Sequence, residues 1–179
     1  MRFLLNREGN ISVFRVGVIF GILGIFTLGF GFLSLQLEIA YRSQPFNVPL
    51  YANATELSRE QSPLRTTGQL VYYMVTGALP EDIAEFYQQE LDKHLGQSSS
   101  SSSQDRQECV RAPFEGNFDT YIEGNGTIPY YYDCIFDNTF LDNTQVTKVR
   151  IHPGVRNDTT GLNLENSVVI IYDQSWSRP

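Results

Sequence analysis

Gly68–Leu91 reads GQLVYYMVTGALPEDIAEFYQQEL. Its first nine residues, Gly68 to Thr76, are rich in β-branched and aromatic side chains and predict a strand. Gly77 and Ala78 end it. Pro80 then opens a helix, where its missing N–H leaves no bond unmade, and Glu81 and Asp82 put acids at the positive end of the helix dipole. Ile83, Phe86, Tyr87 and Leu91 recur at helical spacing, so one face of the helix needs a sheet to cover it. The helix is expected to run to His94, before Gly96.

Toward the C-terminus, residues 97–107 form a Ser-rich loop, because the six serines Ser98 to Ser103 bury too little apolar area to offset their ordering entropy. The pattern then turns to β at Asn117–Glu123, Tyr130–Asp137, Gln145–His152 and Ser167–Trp176, with turn residues between them. Gly124-Asn125-Gly126 tolerates positive φ, Asp142-Asn143 favours a bend, and Pro153-Gly154 starts a polar excursion. The expected fold class is α+β: a small, mainly antiparallel sheet with one covering helix, in the order β-α-β-β-β-β.

Toward the N-terminus, Val16 to Leu37 runs 22 residues without a charge. As one helix it would extend roughly 33 Å, enough to cross a bilayer. Arg2, Arg7 and Arg15 precede it against Glu8 alone, while Glu38 and Arg42 cancel beyond it. The positive-inside bias therefore predicts a cytoplasmic N-terminus and an extracytoplasmic C-terminal domain. A cleaved signal peptide is the alternative, but its apolar region would run about 7 to 15 residues, and no small-residue cleavage site follows Leu37. The expected organisation is a cytoplasmic segment at 1–15, a transmembrane helix at 16–37, a juxtamembrane linker at 38–50 and one domain at 51–179. The localisation is then the cell membrane, single-pass. Pro45 and Pro49 keep the linker from continuing the helix.

The segment beyond Arg42 carries nine basic against eighteen acidic residues. Such a domain offers nucleic acid no counterion release, and nucleic-acid binding is set aside. Cys109 and Cys134 both fall on the exported side, where a pair is most simply a disulfide, worth roughly 3 kcal/mol for a loop of this length. Neither sits at CxxC spacing, and His94 and His152 are solitary, so zinc is not expected.

The strand, the segment LPEDIAEFYQQEL (Leu79–Leu91) and the late pair VTKVRIH and SVVIIYD resemble a recurrent small extracytoplasmic module of bacterial single-span membrane proteins, in which a helix of the pattern speevaaFY…L follows a strand. The resemblance covers roughly residues 45 to 176. It departs from the Gly-Trp that often follows that helix, having Leu95-Gly96-Gln97. It implies a fold and an anchored arrangement, and no catalysis.

No nucleophile elbow, HExxH, P-loop or dinucleotide fingerprint is present, and no enzyme or cofactor is expected. His94 suits a helix C-terminus and His152 a strand end. Asp137-Asn138-Thr139 and Asp142-Asn143-Thr144, with Asp133, offer oxygens that calcium favours, but without EF-hand spacing a polar hairpin turn accounts for them better. Tyr130, Tyr131 and Tyr132, with Tyr72 and Tyr73, are candidates for a protein interface, although strand alternation would divide them between faces. Asn53, Asn125 and Asn157 head sequons that could carry glycans; a fourth sequon, at Asn10, falls on the cytoplasmic side.

Within the apolar segment, Gly17, Gly21, Gly24 and Gly31 fall near one helical face and would let another helix pack closely. The expected function is a noncatalytic accessory or structural subunit of a larger membrane complex, energy-transducing or transport-related. Its partners would be other integral membrane proteins, with the lipid bilayer around the helix. The alternative is a membrane-tethered ligand-binding or sensing domain, against which the short cytoplasmic segment argues.

Overall fold

The computed structural model describes residues 13–61, 67–97, 108–140 and 143–177. The chain divides into two units, Met1–Tyr41 and Arg42–Pro179. The first holds all but the last residue of the helix α1 (Val13–Arg42), of which Val16–Arg42 is long and apolar enough to cross a membrane. Its aliphatic hydroxyls bond within the helix: Thr27 donates to the Gly24 carbonyl and Ser34 to that of Gly31, each at 2.9 Å.

The second unit is an antiparallel sheet with one helix, as expected. Its strands are β1 (Thr55–Gln61), β2 (Gly68–Thr76), β3 (Val110–Ala112), β4 (Tyr131–Asp137), β5 (Gln145–Pro153) and, after a short hairpin of β6 (Arg156–Asn157) and β7 (Leu162–Asn163), β8 (Ser167–Trp176). The helix α2 (Pro80–Gln97) lies between β2 and β3 in sequence. The sheet order is β1-β2-β8-β5-β4-β3. The central position of β8 explains its unbroken apolar run, since Val168, Val169 and Ile170 are buried whichever face they point to.

Register assigns the faces. Val71, Tyr172, Val149 and Cys134 form one cross-strand row and Tyr73, Ile170, Ile151 and Tyr132 the next. This face takes the apolar stripe of α2, whose Ile83, Tyr87 and Leu91 are fully buried, each worth about 1.5–3 kcal/mol or more. Phe86 completes the stripe at the core margin. Cys109 and Cys134 are joined by a disulfide, with sulfurs 2.06 Å apart, which ties the start of β3 to β4.

Residues 44–50 also lie on this face. Val48 enters the core, and the sheet donates to this strap's carbonyls: Gln145 Nε2 to Gln44, Thr147 Oγ1 and Gln174 Nε2 to Phe46, and Tyr172 OH to Pro49.

Three elements differ from expectation. β1, TELSREQ, is exposed at every position, as an edge strand can be when pairing on one side alone holds it. Its charges hide it from a search for alternation. β3 has only three residues. Asn117–Glu123, read as a strand from its Phe, Tyr and Ile, is instead irregular loop, with turns closed by Tyr121 N–H to Phe118 O and Asn125 N–H to Ile122 O. The Ser-rich run falls outside the described residues, as do Arg2, Arg7, Glu8 and the sequon at Asn10.

Candidate interaction surface

The three tyrosines do not share a face. The hydroxyls of Tyr130 and Tyr132 converge on Oε1 of Glu81, in the first turn of α2, at 3.0 and 3.3 Å. Burial, and then the hydrogen bond to that carboxylate, push the Tyr130 hydroxyl up to about 12. Tyr131 points the other way, with its ring 5.6 Å from that of Phe118 and the Arg150 guanidinium 4.2 Å above it. Alternation along β4 produces this division.

Arg111 extends the Glu81 cluster. Its guanidinium lies 4.2 Å over the Tyr130 ring, donates to the Pro113 carbonyl and donates to the Gly116 carbonyl at 2.9 Å. Those carbonyls bracket Phe114 and Glu115, and Gly116 closes the turn at φ +67°. Downstream, Phe118 N–H donates to Pro129 O at 2.8 Å, and Thr127 Oγ1 bonds both N–H and C=O of Ile122. Residues 113–130 are thus an irregular excursion held by bonds within it and, at Gly124 and Gly126, by backbone bonds to Asp158 and Arg156, a length at which loops are commonly functional. Phe114 is 85% exposed on it and Ile122 60%.

The sheet face opposite α2 carries an ion cluster. Asp133 sits 2.8 Å from both Lys148 Nζ and Arg150 Nε, and Arg150 Nη2 donates to its second oxygen at 3.0 Å. Burial alone would raise the Asp133 carboxyl, but the hydrogen bonds from Arg150 and Lys148 win and hold it below the usual range. On the same face Asp173 Oδ1 and Ser175 Oγ are buried without a hydrogen-bond partner.

Beside the strap lies a cleft of about 540 Å³, within the roughly 300–1,000 Å³ of small-molecule sites. Pro45, Val48, Pro49 and Leu50 supply an apolar wall, and Arg59, Gln69 and Tyr73 a polar one. A side-chain ladder forms its back: Arg59 donates to Gln69 at 3.3 Å, Gln69 to Gln174 at 2.7 Å, and Gln174 to Phe46 O at 2.9 Å. Glu56 chelates Arg59 from the other side, which leaves little net charge for an anion. Tyr73 thus borders the cleft, whereas Tyr72 points to the opposite face.

The two histidines contact backbone carbonyls of the domain itself. His94 Nε2 is 3.3 Å from Asp137 O, and its ring packs 5.1 Å from Phe46. His152 Nδ1 lies 2.8 Å from Pro153 O, so it carries the proton. Asp137 Oδ1 accepts from Thr139 N–H, and Phe140 and Asn143 pair through their backbones. Leu141 and Asp142 lie outside the described residues. Among those described, no group of three or more His, Cys, Asp or Glu could hold a metal. Asn53 and Asn125 are exposed, and Asn53 takes φ +61° in the turn before β1. Asn157 instead accepts from Thr159 and Thr160 N–H through Oδ1, while its Nδ2 faces Gly126. On α1, a Cβ placed at Gly17, Gly21, Gly24 or Gly31 would meet nothing within 4 Å beyond its chain neighbours and the adjoining helix backbone.

Compared with known protein families, with curated proteins and with solved structures, the chain matches none. The resemblance drawn from LPEDIAEFYQQEL and its flanking strands therefore rests on those residues alone.

The sequence singled out the tyrosines but missed Glu81, Arg111 and Phe114. The available signal was Arg-x-Pro-Phe-x-Gly, a cation beside a turn with an apolar residue at its tip.

Proposed function

We propose that this protein is a noncatalytic single-span subunit of a larger membrane assembly, energy-transducing or transport-related. In this reading α1 crosses the cell membrane, the N-terminus is cytoplasmic and the α+β domain is extracytoplasmic. The observation that carries it is the stripe of Gly17, Gly21, Gly24 and Gly31 along one face of α1. Small residues on one face of an apolar helix let a second backbone approach closely, and packing there gains dispersion contacts that lipid does not match.

Purification through a C-terminal tag in mild detergent, with identification of copurifying chains, tests the reading. A stable set of integral membrane proteins is expected, and replacing Gly17 and Gly21 together with Leu should release it while leaving α1 inserted. Protease added to intact cells should remove material beyond Tyr41 and spare the N-terminus. Recovery of the chain alone at monomer mass in several gentle detergents would sink the subunit reading. The 540 Å³ cleft supports a second one, a tethered ligand-binding or sensing domain.

A further inference from the structure

We propose that Phe114 is the anchor by which the domain docks onto its membrane partner, entering an apolar pocket rimmed by Lys or Arg on that partner's extracytoplasmic surface. This rests on the subunit reading above. A single exposed aromatic is ordinary on a protein surface. Phe114 differs because its position is fixed from beneath. Arg111 holds the carbonyls on either side of the Phe114-Glu115 tip, stacks on Tyr130, and Tyr130 is held in turn by Glu81 at the start of α2. The turn is therefore ordered before any partner arrives, and a preordered aromatic loses little entropy on binding, which is what makes such residues dominate interfaces.

The charge around the anchor describes the partner. Glu115 and Asp119, next to and five residues beyond Phe114, are exposed acids, and the cation of this stretch is Arg111. That cation is turned inward onto the loop's carbonyls and the Tyr130 ring. An apolar tip in an acidic field fits an apolar pocket with a basic rim and is repelled by an acidic one.

The test uses the full-length protein purified from its own membrane with the partner attached. Phe114→Ala should lower recovered partner by at least about ten-fold, whereas Phe114→Leu should keep most of it. Leu57→Ala, at an exposed apolar residue on the edge strand β1, should change nothing. Added salt should weaken the wild-type association, and Glu115→Lys should weaken it further. A photocrosslinking amino acid at position 114 should join to partner residues flanked by Lys or Arg. Full recovery of partner with Phe114→Ala, or a crosslink to a site without basic residues, overturns the docking proposal and leaves the subunit reading standing. If the unaltered chain brings down no partner, both fall.

Discussion

The hydroxyl of Tyr87 on α2 lies 2.8 Å from the hydroxyl of Tyr172 on β8. Tyr51 N–H donates to Tyr87 at 3.3 Å, and Tyr172 donates to Pro49 O at 3.1 Å. With the other donors fixed, Tyr87 must give its proton to Tyr172. The relay thus starts at Tyr51, just past the strap, and reaches the strap at Pro49, joining helix, sheet and strap through two buried oxygens. Burial pushes the Tyr87 hydroxyl up to about 12 and that of Tyr172 further still, so both stay neutral donors.

Tyr172→Phe should accordingly destabilise more than the loss of one bond. It leaves the Tyr87 proton without an acceptor and Pro49 O without its donor, a cost of about 1–3 kcal/mol. For a domain of this size that lowers Tm by roughly 3–10 °C. Thermal unfolding of the detergent-solubilised chain reads it. An unchanged Tm would mean that solvent or the strap re-satisfies both groups at once.

Asp133 should govern the acid limb of stability. Its folded carboxyl titrates below the ordinary value, so its contribution is complete above about pH 4 and is lost as pH falls through the lowered folded value. Asp133→Asn should cost about 1 kcal/mol at neutral pH, since Lys148 and Arg150 remain partly exposed. It should also flatten the decline below pH 4. Urea unfolding across the acid range would expose a failure as parallel curves for the two proteins.

His152 should act at higher pH. Burial holds its imidazole below the ordinary value, and the nearby Arg150 charge pushes the same way, against the hydrogen bond to Pro153. The unfolded chain takes up a proton near pH 6.5, where the folded one still refuses it. Stability from this site is therefore full above that pH and falls away below it. Replacing His152 with Gln should remove the part of the decline between neutrality and the onset of carboxylate titration. Equal slopes for both proteins in that window would exclude the imidazole as its source.

What was legible in the sequence were the elements whose side chains report their own burial. VVII in β8 and the Ile83, Tyr87, Leu91 stripe in α2 follow the sheet and helix periods because a covered face demands it. β1 escaped because pairing with β2 orders it through its backbone, which no side-chain pattern records. Asn117–Glu123 misled for the opposite reason: Phe118 is spent on a ring contact with Tyr131, while Ile122 is left exposed. The site was half legible. The tyrosines stand out by composition, but Glu81 and Arg111 meet Tyr130 across separations that only the fold closes.

Gly154 shows the same limit and yields the last prediction. In sequence Pro153-Gly154 looks like an ordinary turn that would accept alanine. In the structure a Cβ at Gly154 would stand 1.9 Å from the Leu164 carbonyl oxygen and 2.7 Å from Ser167 Oγ. The space is closed because Gly154 N–H donates to Ser167 O at 2.7 Å and Ser167 N–H donates to Leu164 O at 3.2 Å, which draws the chain entering β8 against the chain leaving β5. The obstructing atom is backbone, so relief requires parting these segments and losing the bonds that register the two central strands. Gly154→Ala should therefore cost on the order of 3 kcal/mol or more. Gly161→Ala is the contrast: it has open space around its Cβ but a φ of +72°, so it should cost only about 1 kcal/mol. Unfolding of both variants under one set of conditions measures the gap. If Gly161→Ala proves the more damaging of the two, backbone conformation rather than close approach limits this part of the fold.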